Sequence, residues 1–474
     1  MDDRDTNIAL VVDLDETLCR TDTLHEALLQ LAATEPLSLF RLPVWIREGR
    51  ARLKARIADR GVIDAADLPL NEAVLESLRT ARENNRPTAL VSAADHRQVT
   101  AVAEAIGLFD EAYGSAEGKN LKGAVKAEFL TRHFGAKMFD YIGDSRADLP
   151  VWAAARKAIT VQAGQELRRQ AQKANPEVHH IDPQAQRAEA MLRAMRPHQW
   201  SKNLLMFLPV LAAHDMAGIW PVFLGFLAFS VMASAVYIIN DLLDLRADRA
   251  HPRKRRRPFA AGELTALTGA KMVAGLFVLA VLLGLATGNP TFLMVLAIYF
   301  AATFAYSLWL KNRLIVDVLT LAGLYTIRII AGGAAAGVVL SPWMLAFSMF
   351  LFLSLAAVKR QAELVDLAQS GRKPSGRAYE VDDLPVVRGL ALSAAQAAVL
   401  VLALYINSPD VQALYASPQI LWLICPCLLY WTLRMVMKAH RGVMADDPIV
   451  FAATDRVSLA IVAVCVGLAV AATL

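Results

Sequence analysis

The chain has 474 residues, of which 56% are hydrophobic and 20% are charged, and its formal net charge is +5. A mean hydropathy of +0.38 is too high for an ordinary soluble protein, so the composition excludes a chain that is soluble throughout. The small positive charge is weak support for binding nucleic acid, and we expect no nucleic-acid partner. Four cysteines give no disulfide framework: Cys19, Cys425, Cys427 and Cys465.

The charged residues divide the chain into two parts of different character. Residues 1–200 mix acidic and basic residues like a soluble domain, whereas long apolar runs alternate with short polar loops from Leu204 onward. The first residues, MDDRDTN, are polar and no apolar run with a cleavage site follows them, so we expect the N-terminal part to remain in the cytoplasm. The composition predicts a soluble domain over 1–182, a linker and interfacial helix over 183–200, and a membrane domain over 201–474.

The first predicted strand ends at a pair of carboxylates. Residues 7–12, NIALVV, are typical of a buried strand, and Asp13 and Asp15 follow directly. Two carboxylates at the end of a strand suit covalent phosphoryl transfer, because one can attack phosphorus while the other protonates the leaving oxygen and later activates water. Taken alone, such a pair is as typical of a helix N-cap.

Two further predicted strands carry polar residues near their ends. The strand TALVSAAD contains Ser92, whose hydroxyl could hold a phosphate oxygen, and the strand in MFDYIGD is followed by Asp144 and then Asp148. A carboxylate pair of this kind can bind Mg²⁺. Three lysines between these strands could neutralise a phosphoryl charge: Lys126, which we prefer, Lys122 and Lys119.

In this order the polar residues resemble the haloacid dehalogenase superfamily over roughly residues 6–180. The family pattern DxDxT…S…K…GDxxxD is matched by Asp13, Asp15, Thr17, Ser92, Lys126, Asp144 and Asp148. The resemblance implies a doubly wound parallel sheet with a small helical cap between Thr21 and about Asn71, and a Mg²⁺ site at Asp13, Asp144 and Asp148. Because Asp15 is present, it also implies a phosphatase or phosphotransferase, and an inactive, purely structural domain is the alternative.

A polar segment at about 162–193 resembles a linker helix with an irregular stretch, and nine apolar runs follow it. Most of the runs are near the roughly 20 residues that cross a bilayer core. The first is short, so we expect its polar start, RPHQWSKN, to lie at the membrane interface. The runs lie near 203–215, 218–239, 265–287, 290–310, 314–337, 341–358, 386–406, 417–437 and 456–473.

The loops between these runs predict the orientation of the membrane domain. With the N-terminus inside, the outer loops contain no Lys or Arg, whereas the inner loops contain HPRKRRRP, KNR and KRQAEL. This distribution predicts nine alternating spans in the inner (plasma) membrane, with a cytoplasmic N-terminal domain. The basic run HPRKRRRP could instead be a nucleic-acid patch, but its place between two spans argues against that reading.

An acidic cluster follows the second apolar run, at the predicted cytoplasmic face. Asn240, Asp241, Asp244 and Asp248 follow one another in YIINDLLDLRAD. On a helix Asn240, Asp244 and Asp248 would share a face, and converging oxygens of this kind bind Mg²⁺ that in turn holds a diphosphate. Acids that emerge from an apolar run are unfavourable unless they bind something, although a solvated helix end balanced by arginines is the alternative.

These residues match the NDxxDxxxD motif of UbiA-superfamily prenyltransferases, and the nine predicted spans match that family's architecture over about 190–474. The resemblance implies a polyprenyl lipid substrate and Mg²⁺-assisted ionisation of a diphosphate donor. Aromatic prenyltransferases of the family usually carry a second acidic pair, but here Asp317 stands alone and Leu321 replaces the second acid. Arg328 lies inside the fifth span, where it is a functional candidate, with pairing to Asp317 or snorkelling as alternatives.

Three segments are most similar to the decaprenyl-phosphate phosphoribosyltransferase branch of this family. They are RPHQWSKN, the lone Asp317 followed by IRIIAGG, and KRQAEL. We therefore expect transfer of 5-phosphoribose from phosphoribosyl diphosphate to a polyprenyl phosphate. The alternatives are prenyl transfer to an aromatic or other acceptor, and a non-catalytic membrane scaffold or transporter with a regulatory soluble domain. The cations that suit a donor with a 5-phosphate are Lys202, Lys311, Arg328, Lys359 and Arg360, and weaker candidates for sugar or metal contacts are Asp446, Asp447 and Asp455.

Overall fold

The N-terminal part of the chain folds around a parallel sheet of six strands. The computed structural model describes residues 8–47, 50–60, 67–116, 120–181, 187–370, 378–444 and 447–474. The strand order is β3-β2-β1-β4-β5-β6, which is doubly wound as predicted. The strands are β1 (Ala9–Val12), β2 (Thr88–Asp95), β3 (Glu111–Ser115), β4 (Phe139–Gly143), β5 (Ala158–Val161) and β6 (Val178–Ile181).

Strand β1 is apolar at every position because the sheet is covered on both faces. Leu10 and Val12 pack into one core, and Ala9 and Val11 pack into a second core on the opposite face. Continuous apolar runs are typical of parallel strands buried in this way. The covering helices are α4 (Glu72–Glu83), α5 (His96–Ile106), α6 (Ala124–Phe134), α7 (Leu149–Ala154) and α8 (Gln165–Ala174).

The predicted cap is helical in the residues that the structure describes. It contains α1 (Thr23–Thr34), α2 (Leu42–Arg47) and α3 (Arg50–Arg60). Their apolar side chains, among them Leu31, Trp45 and Ile57, form a small core of their own.

The segment predicted as a linker at 162–193 is largely folded. It contains α8 and β6, and β6 pairs with β5 in the sheet. The exposed His179 and His180 show why this strand was missed: an edge strand is half solvated, so its sequence resembles a polar linker. Helix α9 (Arg187–Met195) follows.

Eight helices in the described part of the chain are long and apolar enough to cross a membrane. Their bounds are Met216–Leu243, Ala266–Ala286, Pro290–Leu308, Val316–Ala336, Pro342–Gln369, Val381–Ile406, Pro418–His440 and Arg456–Thr473. They contain, in this order, α11 (Ile219–Leu243), α13 (Ala266–Ala286), α14 (Pro290–Leu308), α15 (Val316–Ala336), α16 (Pro342–Ser370), α17 (Leu384–Ile406), α19 (Ile424–His440) and α21 (Arg456–Thr473). The short helices between them are α12 (Leu245–Ala250), α18 (Pro409–Leu414) and α20 (Pro448–Thr454).

The first predicted run, 203–215, is not one α-helix. A 3-10 helix over Pro197–Phe207 is followed by α10 (Leu208–Ala212). The described residues therefore contain eight of the nine predicted spans as helices long enough to cross a membrane.

The chain forms two compact units. The first comprises Met1–Met195 with Tyr237–Val273, and the second comprises Arg196–Val236 with Ala274–Leu474. The acidic cluster at Asn240 to Asp248 thus belongs to the first unit.

A glycine determines how closely two segments of the second unit approach. A Cβ atom at Gly332 in α15 would lie 1.9 Å from the backbone oxygen of Met206. Only glycine allows the 3-10 helix to pack directly on α15 at this point. The contact brings the polar start of that segment, with Lys202 and Asn203, beside the middle of α15.

Candidate active sites

The carboxyl ends of β1 and β4 bring three aspartates together. Val12 pairs with Ile142 in these neighbouring strands, so Asp13 and Asp144, which follow them, lie at the same sheet edge. Asp13, Asp144 and Asp148 each offer an oxygen within 4.8 Å of the other two, and no other group of this kind occurs among the described residues. Carboxylate oxygens so placed fit a divalent cation such as Mg²⁺.

Gly143 leaves room for one of these carboxylates. A Cβ atom there would lie 2.9 Å from the carboxyl carbon of Asp148 and 2.8 Å from the ring of Tyr141. Burial first, and then repulsion from Asp148 and Asp13, raises the pKa of Asp144 well above its usual value. A bound cation would relieve this repulsion.

Lys126 reaches the same group from α6. Its Nζ lies 2.9 Å from Asp13 Oδ2 and 3.8 Å from Asp148 Oδ1, and the side chain is 2% exposed. Burial alone would lower the pKa of Lys126, but the attraction of these two aspartates outweighs burial and raises it. The lysine therefore carries a positive charge where a phosphoryl group would meet Asp13. Of its competitors, Lys122 is exposed, and Lys119 lies outside the described residues.

Asp15 is held by Thr23, the first residue of α1. Its Oδ1 accepts hydrogen bonds from Thr23 N at 2.8 Å and Thr23 Oγ1 at 2.7 Å. Burial, followed by repulsion from Asp22, raises the pKa of Asp15 to about 7. A carboxyl group with this pKa can give up and recover a proton near neutral pH, as a general acid and base must.

Thr17 and Ser92 complete the predicted set at the same edge of the sheet. Thr17 Oγ1 donates to Asp144 Oδ1 at 3.2 Å. Ser92 is 1% exposed and lies in β2, two residues beyond Leu90, which pairs with Val12 of β1. Its Oγ accepts from Ala94 N at 3.2 Å.

Two aspartates of the acidic cluster face one arginine of the basic loop. Arg257 Nη1 lies 3.1 Å from Asp241 Oδ1 and 2.6 Å from Asp248 Oδ2. Helix α11 ends before Asp244, and α12 begins after it. The pattern placed Asn240 with Asp244 and Asp248, whereas the structure brings Asp241 and Asp248 to one guanidinium. Arg257 is 29% exposed, so a metal ion could take its place between these two carboxylates, whose oxygens are ligands that Mg²⁺ prefers.

Arg328 is buried within α15 of the second unit. Its Nε donates to Asn203 Oδ1 at 2.9 Å, and it also donates to the backbone oxygen of Leu324. The guanidinium carbon lies 5.4 Å from the ring centres of Tyr299 and Tyr325. Arg328 is 5% exposed, so it does not snorkel to the interface.

Asp447 lies at the centre of a second polar group in the same unit. Its Oδ2 accepts hydrogen bonds from Lys202 Nζ and from the hydroxyl of Tyr325, both at 2.7 Å, and Lys359 Nζ lies 3.6 Å away. Burial would raise the pKa of Asp447, but the two lysines and these hydrogen bonds outweigh it and hold the pKa below its usual range. Asp447 is therefore ionised.

The remaining predicted residues of this unit lie in other surroundings. Asp317 pairs with Arg360 and accepts from the hydroxyl of Tyr306 at 2.7 Å. Asp455 pairs with Arg434 at 2.7 Å. Lys311 lies in the short turn Leu310–Asn312, and Asp446 lies outside the described residues.

Residues 204–451 match the UbiA prenyltransferase family, and residues 10–153 match haloacid dehalogenase-like hydrolases. The chain belongs to the UbiA prenyltransferase family. This UbiA-family protein is an enzyme and a multi-pass membrane protein, with a haloacid dehalogenase-like domain fused to its N-terminal side. The recognised families and the predicted fold class are thus confirmed.

Three relatives show how far the likeness extends. The uncharacterized protein y4nM of Sinorhizobium fredii is 38% identical over 469 residues, covering 96% of this chain and 89% of that protein. The nodulation protein NoeC of Azorhizobium caulinodans is 38% identical over 270 residues, covering 56% of this chain and 87% of that protein. The decaprenyl-phosphate phosphoribosyltransferase of Mycolicibacterium smegmatis is 40% identical over 190 residues, covering 39% of this chain and 59% of that protein.

Sequence reasoning about this UbiA-family protein missed the partners of its candidate residues. The sequence predicted, as an alternative, that nearby arginines balance the acidic cluster, but it did not single out Arg257 as the partner of Asp241 and Asp248 or Asn203 as the partner of Arg328. Asp447 was a weak candidate, yet it contacts two of the predicted cations. Since these contacts join segments far apart in the chain, spacing alone carried no signal for them.

Proposed function

We propose that the UbiA-type part transfers 5-phosphoribose from phosphoribosyl diphosphate to a polyprenyl phosphate in a Mg²⁺-dependent reaction. The observation that carries the proposal is a group of cations in the second unit, in which Lys202 and the half-buried Lys359 contact Asp447 and the buried Arg328 lies close by. The 40% identity to a decaprenyl-phosphate phosphoribosyltransferase supports it.

The charge of this network favours a phosphate ligand. Among the described residues, Lys202 and Lys359 contact Asp447, and Arg328 lies over the ring of Tyr325, whose hydroxyl donates to Asp447. Buried positive charge that exceeds the negative charge around it is strongly unfavourable. A phosphate dianion, from the ribose 5-phosphate or the lipid phosphate, would balance the excess, and its oxygens suit lysine and arginine donors.

The replacement of the second acidic pair argues against ordinary prenyl transfer. Leu321 cannot bind a metal, and Asp317 is already neutralised by Arg360. This supports a donor that is not held through two acidic motifs. A phosphoribosyl donor carries an additional phosphate, which lysine and arginine side chains can bind directly without a second acidic pair.

The acidic cluster of the first unit would serve the leaving group. Mg²⁺ held by Asn240, Asp241, Asp244 and Asp248 would supply positive charge to the departing diphosphate. The lipid phosphate oxygen forms a bond to the anomeric carbon of ribose while the bond from that carbon to the diphosphate oxygen breaks. Arg257 contacts the carboxylates of both Asp241 and Asp248.

The haloacid dehalogenase-like domain would then act on the product, which retains its 5-phosphate. Asp13 attacks phosphorus, and Asp15 protonates the departing ribose oxygen. Lys126 balances charge on the phosphoryl oxygens, and Asp15 then takes a proton from the water that cleaves the aspartyl phosphate. Linking the two activities in one chain raises the local concentration of the intermediate.

Labelled donors test the transferase assignment. Membranes that contain the full chain are incubated with polyprenyl phosphate and either ribose-labelled phosphoribosyl diphosphate or labelled polyprenyl diphosphate plus an aromatic acceptor. We expect ribose label in the lipid fraction and its loss on chelation of Mg²⁺. Label that enters an acceptor only from the prenyl diphosphate contradicts the proposal and supports prenyl transfer. Incorporation from neither donor contradicts both.

A further inference from the structure

A buried ion pair joins the haloacid dehalogenase-like fold to the acidic cluster inside the first compact unit. Glu26 lies in the first turn of α1, and Arg249 lies in α12. Arg249 Nη1 donates to Glu26 Oε2 at 2.7 Å, and Nη2 donates to Oε1 at 2.5 Å. Both side chains are at least nine-tenths buried, with 9% and 6% of their surfaces exposed.

The geometry of this pair fixes the orientation of α12. A bidentate contact between a guanidinium and a carboxylate restrains both distance and direction. The remaining donor, Arg249 Nε, binds the backbone oxygen of Ala260 at 3.2 Å. Arg249 therefore holds α1, its own helix and the far side of the basic loop in one arrangement.

The surrounding contacts show that the loop after α12 packs closely against other segments of the first unit. Gly262 has a φ of +70°, and a Cβ atom there would lie 2.7 Å from Arg20 Cβ and 3.1 Å from Pro69 Cβ. Glu263 pairs with Arg193 close by. Within this unit, the loop thus fits against the segment that follows Asp15.

Both candidate active sites depend on residues next to this pair. Arg249 directly follows Asp248, and Ala260 lies three residues beyond Arg257, which binds Asp248 and Asp241. At the other end, α1 begins at Thr23, which donates two hydrogen bonds to Asp15. One turn of helix therefore contacts the general acid of the phosphatase and the support of the acidic cluster.

We infer that Glu26 is a positioning residue for the transferase: by holding Arg249 it keeps Asp248 and Arg257 in the geometry that receives the metal and the diphosphate. The inference rests on the role proposed above for the acidic cluster. The haloacid dehalogenase-like domain then contributes to the transferase site itself, besides its own activity on a phosphate ester.

The test uses the full chain with Glu26→Ala, Arg249→Ala and the double variant. Glu72→Ala is the matched control, because Glu72 belongs to an exposed ion pair of the same fold. Loss of a support of this kind raises the half-saturating Mg²⁺ concentration of the transferase by about 10- to 100-fold. We expect the same increase in both single variants and in the double variant, because the two residues act as one pair. The KM for the lipid acceptor should stay unchanged.

Glu72→Ala should retain the Mg²⁺ dependence of the parent chain. Parent-like Mg²⁺ dependence in Glu26→Ala, or a double variant whose effect is the sum of the single effects, overturns the inference. If Glu26→Ala is not recovered as a folded protein, Glu26→Gln replaces it, because it keeps the size of the side chain and one acceptor.

Amide hydrogen exchange separates a failure of the inference from a failure of the proposed function. Mg²⁺ with inorganic diphosphate should protect residues 244–262 in the parent chain and in Glu72→Ala, and should not protect them in Glu26→Ala. If the parent chain uses neither donor, the proposed function fails and this comparison decides the inference by itself. Equal protection in Glu26→Ala, or no protection in the parent chain, overturns it.

Discussion

Arg360 donates a hydrogen bond to Asp317 over 2.5 Å inside the second unit, and neither side chain is more than 1% exposed. Glu363 shares the same arginine. Asp317 is the single acid that remains where related aromatic prenyltransferases usually carry a second acidic pair. Because a buried guanidinium already pairs with it, we propose that Asp317 supports the helix packing.

Asp317→Asn should therefore destabilise the protein and leave the Mg²⁺ requirement of the remaining activity unchanged. Removing one partner of a buried ion pair leaves an uncompensated charge and costs about 3–5 kcal/mol. Thermal unfolding in detergent measures the loss, and the apolar double variant Asp317→Leu/Arg360→Met should recover much of it. A stable Asp317→Asn variant that needs far more Mg²⁺ would instead identify Asp317 as a metal ligand.

Asp13→Asn should abolish hydrolysis of a phosphate ester such as p-nitrophenyl phosphate by at least about 10³-fold, because the nucleophile is lost. In membranes supplied with phosphoribosyl diphosphate, the same variant should accumulate the phosphorylated lipid-linked sugar while ribose transfer continues. Asp59→Asn, a change in an exposed carboxylate, is the control. If the purified protein ignores that lipid and Asp13→Asn accumulates nothing, the two reactions are not coupled.

The hydrolysis of phosphate esters should slow as the pH rises through about 7. The pKa of Asp15 is raised to about 7 by burial, so the carboxyl group is protonated and able to donate below that pH and is ionised above it. Asp15→Asn should remove this descending limb and lower the rate by about 10²- to 10⁴-fold, the usual contribution of a general acid. A descending limb that persists in Asp15→Asn would assign the titration to another group.

Asp241→Asn should lower transferase activity by about 100-fold or more while the protein still inserts into the membrane. The reason is loss of metal binding, since a catalytic metal is worth several kcal/mol of transition-state stabilisation. Asp366→Asn removes an exposed carboxylate from α16 and is the control. Full activity of Asp241→Asn at limiting Mg²⁺ would exclude the acidic cluster as the metal site.

Cysteine labelling tests the proposed orientation in the membrane. Ala413→Cys, in the short helix α18 that follows α17, should react with an impermeant reagent from outside the cell. A cysteine at Arg253, in the basic loop, should react only after the membrane is opened, because basic loops are retained in the cytoplasm. The parent chain provides the background from native cysteines. Reversed or mixed labelling would contradict the alternation of nine spans.

The sequence by itself determined the fold class and the family, because both follow from local patterns. Buried parallel strands require continuous apolar residues, as in β1, and membrane helices require apolar runs of about 20 residues. Short motifs such as DxDxT and NDxxDxxxD remain recognisable because their residues are close in the chain. Even so, the polar edge strand β6 escaped recognition, since its environment is half solvent.

Tertiary structure alone decided which charges meet. Glu26 and Arg249 are 223 residues apart in the chain, and Lys202 and Asp447 are 245 apart, yet each pair is in direct contact. A charged residue read in sequence shows only that a partner is needed, because burial without one is too unfavourable to persist. Its identity depends on which helices and loops pack together. That is why Arg360 pairs with Asp317, and why Arg257 lies between Asp241 and Asp248.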